Sequence, residues 1–285
     1  MENNEKITVA AKMSERLIAI ASMLGDGEGQ GAFFADRISN DKSADKLTVA
    51  DVGCDHGYVS IFLIQSGIAQ KAIAMDVRKG PLAGAEENIR EYGLESVIET
   101  RLSDGLKGLS KGDAEAIVIA GMGGKLMIRI LKEGNPVSLG IKRAVLQPQS
   151  DMDEFRDYLR KNGFHILDEQ VIYDEGKYYF PMKVSFKENI SFGGNSEETP
   201  DYLSKAMDVL MKENGCDEAM ALRICNRFGE CNILRKPELL RAYCEHGKEV
   251  TEGILRDLEG MGHEARTEIL KRELAEIDCV LKLYA

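Results

Sequence analysis

From Leu47 to Pro148 the chain alternates short apolar runs with helix-length amphipathic segments, and that alternation restricts it to a sheet layered between helices. The runs Leu47-Thr-Val-Ala-Asp-Val52, Ala72-Ile-Ala-Met-Asp76, Ala116-Ile-Val-Ile-Ala120 and Ala144-Val-Leu-Gln147 are apolar almost throughout. Strands of a parallel sheet covered on both faces read this way. Val97 to Leu102 is more polar and is expected nearer an edge. Helices are predicted over 80–92 and 124–133, between the strands. Ser150 is positioned to cap a further helix reaching about Asn162, with Gly163 ending it. Two strand-like runs follow, His165 to Tyr173 and Lys177 to Phe186, joined at Asp174-Glu175-Gly176, a good hairpin turn. The fold class is therefore α/β, a parallel Rossmann-like sheet closed by an antiparallel hairpin.

The flanks differ. Leu17, Ile20, Ala21 and Leu24 recur at helical spacing behind Ser14, a plausible N-cap, so a short amphipathic helix is expected over 13–24. Gly25, Gly27, Gly29 and Gly31, with the polar stretch Ser39 to Ser43, predict a mobile loop over 25–46. The sequence divides into a catalytic-type domain over 1–187, a linker over 188–200 and a helical domain over 201–285. Within the last, one or two short helices are predicted over 201–228. A longer one over 237–261 would place Leu240, Tyr243, Gly247, Val250, Ile254 and Leu258 on one stripe. A final helix carries Leu270, Leu274, Ile277, Leu281 and Tyr284 at coiled-coil spacing. The last two helices would form an antiparallel hairpin. Because heptads more often pack within a chain, it is read as a monomer.

Composition narrows the class. With 44% hydrophobic and 30% charged residues the chain reads as an ordinary folded protein. No run approaches the roughly 20 apolar residues of a membrane span, and the first residues lack a signal-peptide core. A cytoplasmic location is expected. The six cysteines have no Cys-x-x-Cys pair or His-rich partner, so neither a zinc module nor a disulfide framework is expected. The net charge of −11 argues against nucleic-acid binding in general. Residues 101–150 run the other way, with eight basic side chains (Arg101, Lys107, Lys111, Lys125, Arg129, Lys132, Lys142, Arg143) against four acids.

Asp51-Val-Gly-Cys-Asp-His-Gly-Tyr58 falls where the first strand gives way to the first helix of the sheet, the place where a doubly wound fold binds its cofactor. Gly53 allows a tight turn and Gly57 allows the helix to pack closely. A dinucleotide fingerprint would need glycines at Asp55 and Tyr58, so the spacing excludes it. The loop resembles instead the glycine loop of methyltransferases dependent on S-adenosylmethionine (SAM), with Asp55 at the middle glycine. Asp76-Val77 ends the second strand, and the Asp76 carboxylate could accept from both hydroxyls of a ribose. Asp104-Gly105 follows the next strand, and Asp104 could meet an adenine amino group. Gly121-Met122-Gly123 ends the fourth, where glycines admit a methyl donor and an acceptor. Each aspartate taken alone could as well be a helix cap. The cofactor candidates are thus Asp51, Gly53, Asp55, His56, Gly57, Asp76, Val77, Asp104, Gly105, Gly121, Met122 and Gly123. No catalytic residue is assigned; pocket candidates are His56, Tyr58, Met122, Gln147 and Gln149, the last two as amides able to read a base edge.

Taken together, Ser14-Glu-Arg-Leu17, Ala50-Asp-Val-Gly-Cys-Asp-His-Gly-Tyr58, Asp76-Val-Arg-Lys-Gly-Pro-Leu82, Ile119-Ala-Gly-Met-Gly-Gly124 and Leu146-Gln-Pro148 resemble the bacterial tRNA (adenine-N(1))-methyltransferases that act on adenine 22 of the D-arm. The resemblance covers about 13–186 and, more weakly, 228–283, similar to that family's coiled-coil C-terminal domain. It departs at Gln149, where the family more often has Asn, and in the longer stretches 25–46 and 187–227. It implies SAM as cofactor and tRNA as partner; the cysteine spacing and the lack of long apolar runs leave no metal or membrane expected. Arg16, Arg78, Lys125, Arg129, Arg143, Arg235, Lys236 and Arg241 are then candidates for phosphate contacts, with Arg223 and Arg227 beside them. Methylation of a small molecule or protein, or a non-catalytic SAM- or tRNA-binding module, remain alternatives.

Overall fold

The computed structural model describes residues 8–25, 47–186, 201–260 and 262–285, and the backbone of 189–192 and 195–198. The loop expected over 25–46 lies, after Gly25, outside the described residues. A 3-10 turn at Val9–Lys12 leads into α1 (Glu15–Ser22), where the Ser14 hydroxyl accepts from Leu17 N–H as its cap. The alternating core follows as β1 (Leu47–Val52), α2 (Tyr58–Gln65), β2 (Ala69–Asp76), α3 (Lys79–Glu91), β3 (Ile98–Leu102), β4 (Ala116–Met122), α4 (Gly124–Gly134), β5 (Arg143–Pro148) and α5 (Met152–Lys161). It continues through β6 (His165–Glu169), β7 (Ile172–Asp174), β8 (Lys177–Tyr179) and β9 (Met182–Ser185).

One seven-stranded sheet runs in the order β3-β2-β1-β4-β5-β9-β6. Strands β1 to β5 pair in parallel, and β9 inserts antiparallel between β5 and β6. As the pattern predicts, β3 forms an edge. The strand order reverses at β1, which leaves a crevice at the carboxyl ends of β1 and β4. Two apolar layers fill the faces: Val49, Ala74 and Val118 against α1, α2 and α3, and Ile117, Ile119 and Leu146 against α4 and α5.

Two expectations change here. The N-cap of α5 is Asp151, at φ 53°, not Ser150, whose hydroxyl instead donates to the Asp151 carboxylate at 2.6 Å. The two runs after α5 each break in two. Their outer halves, β6 and β9, join the main sheet, whereas β7 and β8 form a separate ribbon around the predicted turn. Pro181 has no N–H to offer a ladder, and Val171 and Phe180 turn away from the sheet into the helical core.

The segment 189–198, within the stretch read as a linker, carries an antiparallel pair, β10 (Asn189–Phe192) and β11 (Asn195–Glu198). The helical part comprises α6 (Tyr202–Asn214), α7 (Glu218–Phe228), α8 (Glu230–Arg235), α9 (Glu238–Asp257) and α10 (Glu264–Lys282). The last two form the antiparallel hairpin: Gly247 faces Ile277, Lys248 pairs with Asp278 at 2.7 Å, and the Tyr284 hydroxyl donates to Pro237 O. The stripe on α9 is rotated from expectation. Val250 and Ile254 are 47% and 37% exposed, while Cys244 and Thr251 turn inward with Leu240. A stripe drawn through Val250 and Ile254 assumes a wide apolar face, but α10 covers only a narrow one, and Thr251 can enter it because its hydroxyl donates to Gly247 O.

The helical part is fastened by buried charge. Arg156 of α5 and Glu169 of β6 are fully buried and joined at 2.8 Å, and Arg156 also donates to the carbonyls of Asn226 and Arg227 that end α7. Glu169 accepts from Cys231 N–H in α8, and beside it Arg160 grips Glu230 through both terminal nitrogens. Burial, with the neighbouring Glu230 charge, pushes the Glu169 carboxyl up to about 7 against the pull of Arg156. Between α7 and α8, Gly229 sits at φ 90°, where any Cβ would strike the Glu169 carboxylate. Removing one partner strands the other in the core, so Arg156→Met is expected to cost about 3–5 kcal/mol in denaturant unfolding. Adding Glu169→Met to it should restore much of that loss; a further loss of the same size would show the two charges act independently.

Candidate cofactor and methyl-acceptor cleft

A cleft of about 460 Å3 opens at the carboxyl ends of β1, β2 and β4, a size that suits a small ligand. Its back wall is the β1–α2 turn. Gly53 at φ 80°, Asp55 at φ 49° and Gly57 at φ 72° fold this turn tightly enough for backbone to face the cleft. At Gly53 an added Cβ would strike the Met122 methyl, so the β1 turn and the β4 loop touch across the floor. At Gly57 the Cβ would lie 3.1 Å from Ala85 of α3, which makes this glycine a packing residue; it does not line the cleft.

Two acids lie deep. Asp51 is 4% exposed and accepts from the Ser60 hydroxyl at 2.8 Å. Burial pushes its carboxyl up to about 6, although the Ser60 bond pulls the other way. Asp76, 5% exposed, accepts from Arg78 N–H at 2.8 Å through Oδ1, which sets the carboxylate plane at the cleft wall. Val77, 62% exposed, and Leu126 form apolar lips. His56 and Tyr58 stack at 5.8 Å between ring centroids at one edge, the His56 carbonyl accepting from Asn88.

Asp104 and Gly105 also line the cleft, but the Asp104 carboxylate is already engaged. Arg129 and Lys107 hold it at 3.0 and 2.7 Å and keep its carboxyl down at about 2. Asp104 thus meets the cleft as a carboxylate already paired with two cations. Gly123, expected at the cofactor, is the N-cap residue of α4 and does not line the cleft.

Of the remaining pocket candidates, Met122 and Gln149 line the cleft, and Gln149 is exposed. Gln147 is not available to read a base. It is fully buried; Oε1 accepts from Arg16 at 2.9 Å and Gly121 N–H at 3.2 Å, and Nε2 donates to Pro148 O. Arg16, expected at a phosphate, is drawn inward from α1: its guanidinium lies 4.7 Å from the Tyr179 ring centroid and 3.9 Å from Asp174.

The other basic candidates are paired more than the charge count suggests. Arg78 lies beside Asp76 and Lys125 lies 3.6 Å from both Asp151 and Glu154. Arg129 holds Asp104 and Glu133, Arg235 holds Asp168, Lys236 lies 3.6 Å from Glu213, and Arg241 lies between Glu238 and Glu245. Arg223 and Arg227 both meet Glu276. Arg143 is half-buried on β5. Only Arg16, Arg78 and Arg129 of this set line the cleft. Sequence reasoning did not anticipate Ser60, whose only signal is a polar residue inside the apolar run of α2, nor Ser103, whose hydroxyl is tied to Gly105 O and Gly108 N–H. Among the described residues no group of three or more His, Cys, Asp or Glu could hold a metal, and no helix is long and apolar enough to cross a membrane.

A doubly wound sheet ending in an antiparallel pair, with acids and glycine turns at successive strand ends, defines a methyltransferase-type cofactor fold. The chain belongs to the family described as "Methyltransferase domain", whose model matches residues 37–182. It is similar to the tRNA (adenine(22)-N(1))-methyltransferase of Bacillus subtilis, 37% identical over 168 residues that cover 59% of this chain and 63% of that one. The matched stretches span only 60 to 63% of the three curated relatives. Among solved structures, a candidate tRNA (m1A22) methyltransferase of Streptococcus pneumoniae superimposes with a TM-score of 0.71 at 26% identity, covering 94% of this chain and 99% of that one. The same protein in complex with S-adenosyl-L-methionine gives 0.67 at 26% identity, with the same coverage.

The pH dependence of stability tests the buried acid. Asp51 titrates near 6 when folded against an ordinary value of 3.8. As pH rises through this window the unfolded chain has already lost its proton and the folded one loses its own, so this group favours folding below the window and that contribution vanishes above it. Asp51→Asn should therefore be more destabilising at pH 5 than at pH 7, read from Tm differences; parallel Tm curves would remove the raised titration.

Proposed function

We propose that this chain transfers a methyl group from S-adenosylmethionine to N1 of adenine 22 in tRNA. The observation that carries this reading is the buried, pre-oriented Asp76 carboxylate at a cleft lined by Gly53 and Gly105, with the Gly121-Met122 end of β4 at its floor. The names and folds of its relatives support the same assignment.

The residues present fit the cofactor. Asp76 offers acceptors for ribose hydroxyls, the Gly53 turn brings backbone to the cleft wall beside the Met122 methyl, and Val77 and Leu126 supply apolar cover for a purine ring. When bound, SAM supplies a methyl group on a sulfonium leaving centre. The protein's task is then alignment and exclusion of water. Adenine N1 holds a free lone pair at neutral pH, so no side chain is required to remove a proton before attack. His56 and Tyr58, stacked at the cleft edge, serve as walls. Because N1 lies on the pairing edge, the adenine must leave its stack to enter the cleft. The α9–α10 hairpin and the rim cations Arg78 and Arg129 would hold the RNA outside. The coiled-coil face of α10 is occupied by α9 of the same chain, which supports a monomer, and the tRNA substrate supports a cytoplasmic location.

The test is methyl transfer from labelled SAM to unmodified tRNA, followed by digestion and mapping. The expected product is 1-methyladenosine at position 22, with none on a tRNA lacking that adenine. Methylation of another nucleoside would overturn the substrate and keep the chemistry. Asp76→Ala should weaken SAM binding by roughly tenfold or more, the weight of charge-assisted hydrogen bonds; unchanged affinity would remove Asp76 from the cofactor site.

A further inference from the structure

At Gly121 the pairing of β4 with β5 slips. Ala120 stands opposite Gln147 and Met122 opposite Pro148, which leaves Gly121 as an unpaired residue at φ 78°. This is a bulge at the cleft floor, and bulges beside reacting centres re-aim the chain. Having no place in the ladder, the Gly121 N–H goes to the Gln147 side chain at 3.2 Å. Gln147 cannot choose its own orientation freely: Nε2 is held by Pro148 O, and Oε1 also receives Arg16 Nη1 at 2.9 Å. Arg16 is in turn held by the Tyr179 face and by Asp174. The chain of contacts joins α1, the β7–β8 ribbon and β5 to one peptide at the floor of the cleft.

We propose that Arg16 is a positioning residue for methyl transfer: by locking the Gln147 amide it holds the Gly121 bulge in the shape that receives the methyl acceptor. The inference rests on the methyl-transfer reading for its kinetic consequence, although the mechanical link does not. Docking of α1 does not depend on Arg16, because Ile20, Ala21 and Leu24 are fully buried in the sheet's apolar layer and Lys183 donates to Gly25 O just beyond the helix. A guanidinium is needed because one planar group must lie on a ring and donate to an amide oxygen at once. An ammonium is a point donor without that plane.

The experiment compares full-length wild type with Arg16→Lys, Gln147→Ala and the double variant. The first readout, taken without RNA, is amide exchange at Gly121 by NMR on glycine-labelled protein, with Tm as a control for folding. Exchange should quicken by roughly tenfold in each single variant, the equivalent of one hydrogen bond, while Tm in Arg16→Lys stays near wild type. The second readout is kinetic. kcat should fall by roughly tenfold to a hundredfold with KM for tRNA and SAM affinity within about twofold, and the double variant should be no slower than the worse single one. Unchanged Gly121 exchange overturns the proposal. A KM for tRNA that rises while kcat holds overturns it in favour of a direct phosphate contact, and additive losses overturn it in favour of two separate roles. Should wild type methylate no tRNA, the substrate assignment fails while the exchange measurement still decides the link.

Discussion

The arrangement of the whole molecule depends on a charge pair taken out of water. Arg156 and Glu169 have no solvent to retreat to, and the helical part provides partners that the sheet cannot, two carbonyls from the end of α7 and an N–H from α8, while Arg156 Nη2 is left buried without a hydrogen bond. An apolar contact tolerates sliding, whereas this network does not, because a shift of an ångström leaves a buried charge without its partner. The hairpin formed by α9 and α10 is thereby held at a fixed angle to a sheet it scarcely touches. Gly229 belongs to the same device, since its missing side chain is the space into which the Glu169 carboxylate fits.

Within the cleft the two deep acids have different neighbours and different parts. Both line the cleft, but Asp76 is met by the backbone N–H of Arg78, whereas Asp51 is met by the Ser60 hydroxyl of α2. Asp51 therefore braces the turn that carries Gly53, and Asp76 is the acid proposed to meet the cofactor. Asp104 shows the opposite arrangement: set at the surface among cations, it is fixed as an anion by Arg129 and Lys107 and belongs to the rim.

Much of this was legible in the chain. The strands from Leu47 to Pro148 were readable because burial on both faces leaves an unmistakable apolar run, and the glycines near 53 and 121 because only a tight turn rewards them. What escaped was long-range. The partnership of Arg16 with Gln147 spans 131 positions, and nothing local to either residue hints at the other. Gln147 looked like a reader of bases because amides at strand ends often are; a bulge next door, invisible in the pattern, made it a scaffold. The break in the 165–173 and 177–186 runs had a signal in Pro181, yet the destination of Val171 and Phe180 was a core built by helices that come later in the chain. The stripe on α9 failed for a related reason, since which face is covered is decided by α10 together with the aromatic residues Tyr178, Phe180 and Phe228 that meet Tyr243.

The pairing of basic side chains with carboxylates has a consequence for how an RNA would be held. Arg129, Arg235 and Arg241 each already have an acid within reach, so a phosphate arriving at one of them replaces a partner and sets a carboxylate free. The liberated carboxylate gathers cations from solution as the phosphate gives its own up. Net ion release per contact is then smaller than for a bare basic surface, and the affinity would decline with added salt less steeply than the number of phosphates touched would suggest. An acidic protein built in this way would have to rely on fit to select a polyanion, because charge alone would give any nucleic acid little advantage over another.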